Sequence, residues 1–206
     1  DQGIERIAVG RQRVRDEAVV RRITHRRVED AVDEERAGRL VELVLHRLAA
    51  GRHLDDDVEV VGRALEAGAS VATHLFNAMP SIHHRTPGPI PRLLTDSRTT
   101  VELIADGVHV QPSVLRLAVE ASAGQWVLIT DAMSAAGRPD GAYRLGPLDV
   151  DVVDSVARIR STGAIAGSTL TLDRAVRFAI QEVGIDPADA VRAASQTPAD
   201  LLGRPD

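Results

Sequence analysis

The sequence predicts an α/β fold from about residue 53 to its end, preceded by a helical segment of different character. Three observations carry this. Amphipathic stretches alternate with short apolar runs. Glycines such as Gly68, Gly107 and Gly163 punctuate the joins. Three polar residues, His74, His109 and Asp131, each stand just beyond an apolar run. Helix–strand alternation at this spacing implies parallel strands joined by crossover helices.

Residues 1–52 are rich in Arg, Val and Glu and poor in turn signals. Glu29 to Ala50 reads as one helix, with Val32, Leu40, Leu43, Val44 and Leu48 on one face and Gly51 as its stop. His25 and His46 sit among arginines and read as surface residues. From residue 53 the predicted order is a helix over Val58–Ala67, a strand over Ser70–His74 and a long loop from Leu75 to Pro91. There follow a strand over Val101–Ala105, a helix over Pro112–Ala121 and a strand over Trp126–Thr130. Alternating apolar residues between Tyr143 and Ile159 predict a β-hairpin insertion. A glycine-bearing loop over Gly163–Gly167 leads to helices over Thr169–Val183 and Pro187–Ser195, the last with Asp186 as its N-cap.

Composition narrows the chemistry. At 206 residues the chain can bury a sizeable core, and a net charge of -5 gives no basic surface for nucleic acid. It contains no cysteine, so disulfides, thiolate metal sites and a cysteine nucleophile are excluded. All its basic residues other than histidine are arginine, which excludes a Schiff-base or carbamylated lysine. Any metal must therefore be held by His, Asp or Glu. No apolar run has the length of a membrane span, and no signal-peptide pattern opens the chain, so the expectation is a soluble cytoplasmic protein with no membrane partner.

Polar groups at strand exits form a candidate site, because the carboxyl ends of barrel strands gather catalytic groups on one face. His53 and His74 bracket one helix and one strand. They can reach one metal if they end successive strands, and a metal brings the pKa of its bound water towards neutrality. His53 lies in a polar stretch, and taken alone it reads more readily as a surface residue than as a ligand. Asp131 ends an apolar strand, where a carboxylate is expected to be partly desolvated. It can cap the next loop, or it can move a proton between a water and a leaving amine. Arg85, in the string His83-His84-Arg85-Thr86-Pro87-Gly88, can bind phosphate with paired hydrogen bonds or can simply be solvated. His109 can donate to a substrate carbonyl or hydroxyl, or can be a satisfied strand-end histidine. The run Gly163-Ala164-Ile165-Ala166-Gly167-Ser168 lets backbone N–H groups approach a ligand, but it matches no nucleotide-binding motif.

Read together, these strings resemble the N-acetylglucosamine-6-phosphate deacetylase family of the amidohydrolase superfamily over about residues 57–203. The resemblance rests on Ala72-Thr73-His74-Leu75-Phe76-Asn77-Ala78-Met79-Pro80, on His83 to Gly88, and on Glu102-Leu103-Ile104-Ala105-Asp106-Gly107-Val108-His109-Val110. It continues through Thr130-Asp131-Ala132-Met133, Ala166-Gly167-Ser168-Thr169-Leu170-Thr171 and Thr197-Pro198-Ala199, all in the family's order. It implies a partial (β/α)8 TIM-type barrel, the C-terminal half, over residues 53–206. It also implies His74 and His53 as metal ligands and Asp131 as the catalytic acid/base. Arg85 would bind the sugar 6-phosphate. Asn77, Ala78 and His109 would contact the substrate, and the loop Ile165, Ala166, Gly167 and Ser168 would close over it. The implied reaction is hydrolysis of N-acetylglucosamine 6-phosphate to glucosamine 6-phosphate and acetate with a divalent metal, usually Zn2+ in that family, in a protein that is commonly a homodimer.

The sequence departs from the family before residue 53. No segment there supplies the family's metal-ligating Glu, and Arg52 and Leu54 flank His53 where the family has Gly and a hydroxyl residue. The expectation is that residues 1–52 are unrelated to the family, and that residues 1–206 alone have little or no activity. The alternatives are another amidohydrolase acting on a different amide, or a non-catalytic fragment. The His83-His84-Arg85 string favours a phosphorylated sugar over a cyclic amide.

Overall fold

The computed structural model describes residues 54–204, with side chains from Val58 onward. The expected helix over Glu29–Ala50, and His25, His46 and His53, lie outside the described residues. The elements in order are α1 (Leu54–Glu66), β1 (Val71–Ala72), α2 (Ile90–Thr95), β2 (Thr100–Ile104), α3 (Pro112–Ala121) and β3 (Gln125–Ile129). These are followed by β4 (Gly141–Leu145), β5 (Leu148–Val153), β6 (Val156–Ile159), α4 (Leu172–Gln181), α5 (Pro187–Ala194) and α6 (Gln196–Leu201).

The fold is α/β, as expected. β1, β2 and β3 form a parallel sheet in that order, with Val71 opposite Thr100 and β2 paired to β3 from Thr100–Gln125 to Ile104–Ile129. The strands read as near-continuous apolar runs because both faces are covered. Val101, Leu103, Ile104, Val127 and Leu128 are buried, and α4, α5 and α6 pack on β3. The sheet stays small, and no closed barrel forms among the described residues.

β1 is shorter than predicted. The ladder still runs past it on both sides, through Thr100 N–H to Ser70 O at 2.7 Å and Leu75 N–H to Glu102 O at 2.8 Å. Regular strand stops because the backbone turns left-handed at His74, with φ of 34°. Beyond β3 the chain adds a third parallel pairing, a bridge between Ala132 and Ser168. There the Met133 N–H reaches Ser168 O at 2.9 Å and the Ser168 N–H reaches Asp131 O at 2.8 Å. The opposite, amino-terminal end of the sheet is closed tightly. A Cβ on Gly124 would lie 2.1 Å from the Thr99 carbonyl oxygen, so only glycine fits there.

Two expected features are corrected. The predicted loop from Leu75 to Pro91 ends earlier, in helix α2, because Pro91 sits in its first turn, where a missing N–H costs nothing. The predicted hairpin over Tyr143–Ile159 is a three-stranded antiparallel meander, β4-β5-β6. One face of the meander packs Val150, Val152 and Ala157 against Met133, Ala135 and Ala166, with Tyr143 and Ile159 at the margin. Helix α3 begins at Pro112, and the Asp186 side chain accepts the Ala188 N–H at 2.9 Å to cap α5, both as the sequence predicts.

Candidate functional site

Parallel strands in register share a carboxyl-terminal rim, and the candidate residues gather there. His74 leaves β1, the Asp106–His109 loop leaves β2, and Asp131 leaves β3. The outer two strands are separated by two strand spacings, about 10 Å at the backbone. The backbone along this rim is unusual. His74, Phe76, Ala78 and Asp131 have φ values of 34°, 77°, 55° and 48°. Left-handed geometry at a non-glycine residue costs on the order of 1–3 kcal/mol and persists only where its surroundings enforce it.

After β1, those surroundings are visible. The Thr73 hydroxyl donates to the Glu102 carboxylate at 2.8 Å while the Leu75 N–H bonds the Glu102 carbonyl, so one β2 residue grips both neighbours of His74. The Asn77 side-chain amide donates to the His74 and Leu75 carbonyls at 3.2 and 3.3 Å, and the Asn77 N–H donates to His74 O at 2.9 Å. Asn77 thus braces the turn that carries His74, and Ala78 beside it is exposed. Further along this loop, Arg85 is exposed. Its Nη1 lies 2.7 Å from His84 Nε2, and the rings of His83 and His84 are 4.4 Å apart.

After β2, Asp106 holds its own loop. Its Oδ1 accepts the backbone N–H groups of Val108 and His109 at 2.8 and 2.9 Å, and its Oδ2 lies 2.7 Å from His109 Nδ1. Burial pushes the Asp106 carboxyl up, but the His109 ring and the two N–H groups outweigh it and hold the group below the ordinary carboxylate range. Gly107, at φ 75°, has no room for a side chain, since a Cβ would meet the Phe178 ring of α4 at 2.9 Å.

After β3, Asp131 is exposed rather than partly desolvated. The apolar strand ends at Ile129, and the left-handed turn at residue 131 carries the carboxylate outward. Its backbone is fixed from the other side. The Ser168 hydroxyl donates to the Thr130 carbonyl and accepts the Leu170 N–H at 3.0 Å. At Gly167, φ 63°, a Cβ would lie 2.9 Å from Asp131 O. The loop expected to close over a ligand is therefore tied into the framework. Ser168 is 3% exposed, Ala166 is buried and bonds Ala157 O through its N–H at 3.0 Å, and Ile165 bridges Arg158.

Among the described residues no three His, Cys, Asp or Glu side chains cluster tightly enough to hold an ion. The donor chemistry still suits a hard or borderline divalent cation, since one imidazole and one carboxylate stand on the same rim. Two residues that hold the candidate residues in place, Glu102 and Asp106, are not singled out by the sequence. Glu102 lies mid-strand, and only the pairing of β1 with β2 brings it against Thr73. For Asp106 the signal was present as the i, i+3 spacing of Asp106 and His109 directly after a strand.

No family model matches the chain. It is 46% identical over 140 residues to the N-acetylgalactosamine-6-phosphate deacetylase of Escherichia coli O157:H7, covering 68% of this chain and 37% of that one. It is 43% identical over 151 residues to the N-acetylglucosamine-6-phosphate deacetylase of Vibrio furnissii, covering 73% and 38%. A shorter Escherichia coli K12 protein, provisionally described as an N-acetylgalactosamine-6-phosphate deacetylase, is 47% identical over 130 residues, 63% of this chain and 77% of its own length. Among solved structures, the Mycobacterium smegmatis N-acetyl-D-glucosamine-6-phosphate deacetylase D267A mutant, in complex with N-acetyl-D-glucosamine-6-phosphate, matches with a TM-score of 0.67. The two are 48% identical, and the match covers 71% of this chain and 40% of that one. The Pasteurella multocida N-acetylglucosamine-6-phosphate deacetylase matches with the same TM-score at 32% identity, covering 71% and 38%. The chain spans about two fifths of the length of the full-size relatives. From these identities, and from the share of the shorter relative that is covered, the chain belongs to the family of N-acetylglucosamine- and N-acetylgalactosamine-6-phosphate deacetylases.

Proposed function

We propose that this chain carries the acid/base and substrate-contact half of a deacetylase that hydrolyses N-acetylglucosamine 6-phosphate to glucosamine 6-phosphate and acetate. The observation that carries the reading is the shared rim of one parallel sheet, which places a half-buried imidazole after β1 and an exposed carboxylate after β3. Residues 53–206 are read as the later strands and helices of a (β/α)8 barrel. His74 is read as a ligand for a divalent metal such as zinc, joined by His53. When bound, such an ion activates water and polarises a carbonyl.

The chain's own residues do the rest. Asp131, exposed and in no ion pair among the described residues, takes a proton from the attacking water as its oxygen bonds the amide carbon. The same proton passes to the sugar nitrogen as the C–N bond breaks, leaving acetate and the free amine. His109 is assigned to the substrate's carbonyl or hydroxyl groups, Arg85 to the 6-phosphate, and the backbone at Asn77 and Ala78 to the sugar. Ile165, Ala166, Gly167 and Ser168 form the wall beyond β3. The absence of lysine leaves this phosphate to arginine, whose planar fork matches it.

The test is acetate release by the protein in its full natural length with zinc added, comparing N-acetylglucosamine 6-phosphate, its galactosamine epimer and unphosphorylated N-acetylglucosamine. The expected order is the glucosamine phosphate first and the unphosphorylated sugar last. Faster release from the galactosamine epimer would transfer the assignment to that sugar. Equal rates with and without the phosphate would remove Arg85 from the proposal.

A further inference from the structure

We infer that Asp106 is the positioning residue of this site: it holds the His109 ring with its proton on Nδ1 and its Nε2 turned to the ligand. The inference rests on the reading above that His109 faces the substrate, but its geometry stands by itself.

The Asp106 carboxylate has two oxygens with separate tasks. Oδ1 accepts two backbone N–H groups, from Val108 and His109, which fixes the loop as a turn. Oδ2 is left for the His109 ring at 2.7 Å. The side chains are 12% and 6% exposed, so the pair is largely withdrawn from water and a bond of this kind is stronger than at the surface. An ionised carboxylate can only accept. The burdened Asp106 stays ionised because three donors converge on it, so the ring nitrogen facing it must be the donor. That fixes the proton on Nδ1 whether the ring is neutral or charged. All the described hydrogen bonds of the ring are made by Nδ1, which leaves Nε2 as the one ring atom that can address a ligand. The ring cannot swing away cheaply. Its own N–H is bonded to the same carboxylate, and Gly107 between them is pressed against Phe178 of α4. The arrangement orients an imidazole through a carboxylate, as second partners of functional histidines commonly do.

The isosteric variant D106N separates positioning from folding. Two backbone N–H groups compete against one ring nitrogen for the single amide oxygen. The Asn oxygen should therefore turn to the backbone and its NH2 to the ring. Nδ1 must then accept, and the proton moves to Nε2. In the full-length protein with 15N-labelled histidine, two-bond 1H–15N spectra near pH 8.5, about two units above the ordinary imidazole value, read this directly. The His109 signals are assigned by their loss in H109Q. The wild type is expected to carry its proton on Nδ1, and D106N on Nε2 with an unchanged melting temperature. D106N should also lose about 10- to 100-fold in kcat/KM for acetate release. A wild-type proton on Nε2 would overturn the inference, and so would D106N with the wild-type tautomer and unchanged kcat/KM. Should D106N fail to fold, the wild-type spectrum still decides. Should the wild type release no acetate, the proposed reaction fails while the tautomer reading stands or falls separately.

Discussion

The parallel sheet and the antiparallel meander use opposite solutions to the same problem. Strand β2 is buried on both faces and β3 buries its centre, so both spend most of their residues on packing, and the one charged residue within them, Glu102, is held by the Thr73 hydroxyl. The meander buries one face alone. Val150 and Val152 point into a small cluster, while Asp149 and Asp151 point outward, where they pair with Arg144 and Arg160. The difference teaches where function can sit. In the sheet, a polar side chain needs a partner to satisfy it, as Thr73 does for Glu102, or a place at the rim, so the rim concentrates chemistry. In the meander, polar residues are everywhere along the outer face, so none is singled out. The two regions meet at one cluster, since Met133, two residues after Asp131, packs beneath the meander's apolar face.

The sharpest way to break this comparison is D131N. The carboxylate is exposed and makes no described ion pair, so its loss should leave stability unchanged while acetate release falls about 10²- to 10⁴-fold. Thermal denaturation beside a kinetic assay checks both halves. A variant with wild-type turnover would end the assignment of Asp131 as acid/base.

Next come paired truncations, one in each region. Leu103 on β2 is 1% exposed in the core of the parallel sheet, so L103A should cost about 2–5 kcal/mol. Val152 on β5 is equally buried but has a core on one side only, and V152A should cost about 2 kcal/mol. Urea titration of both variants measures the difference. If V152A proves as costly as L103A, the meander is no subsidiary layer but part of the main cooperative core.

A smaller effect probes the seam. G167A forces a Cβ into left-handed backbone and within 2.9 Å of the Asp131 carbonyl oxygen. It should cost about 1–3 kcal/mol. Because the strain falls on the residue that carries the carboxylate, acetate release should drop by more than the population of unfolded protein explains. Activity that merely tracks the folded fraction would detach the glycine loop from the site.

The same contrast explains what the sequence made legible. Strands buried on both faces and helices opened by Pro112 or capped by Asp186 are written in local chemistry, and they were read to within a residue or two. Helix α2 was missed because Gly88-Pro89-Ile90-Pro91 spells a loop by composition, although a proline in the first turn is compatible with a helix. The meander's second turn was missed for the opposite reason. Asp154 and Ser155 take φ of 51° and 64° without any glycine to announce it. The turn is held instead by long-range bonds, from Ser155 N–H to Asp140 Oδ1 and from the Thr169 hydroxyl to Ser155 O. At the site, His74, His109 and Asp131 could be named because each follows an apolar run. Glu102 and Asp106 act through neighbours, and which neighbour a side chain meets is a property of sheet register and loop closure.

The smallest effect expected belongs to the outer face of the meander. Arg160 makes two hydrogen bonds to Asp151, at 2.9 and 2.7 Å, and this pair is as well formed in distance as the Asp106–His109 contact on the rim. Both its side chains are about half exposed, however, so water and salt screen the attraction, and ordering two long side chains offsets what remains. R160A should therefore leave both the denaturation midpoint and acetate release at wild-type values, at low and at high salt. A clear loss of stability that disappears in high salt would mean that the outer pair steers the meander's position. The contrast between a rim that carries chemistry and a flank that carries only charge would then need redrawing.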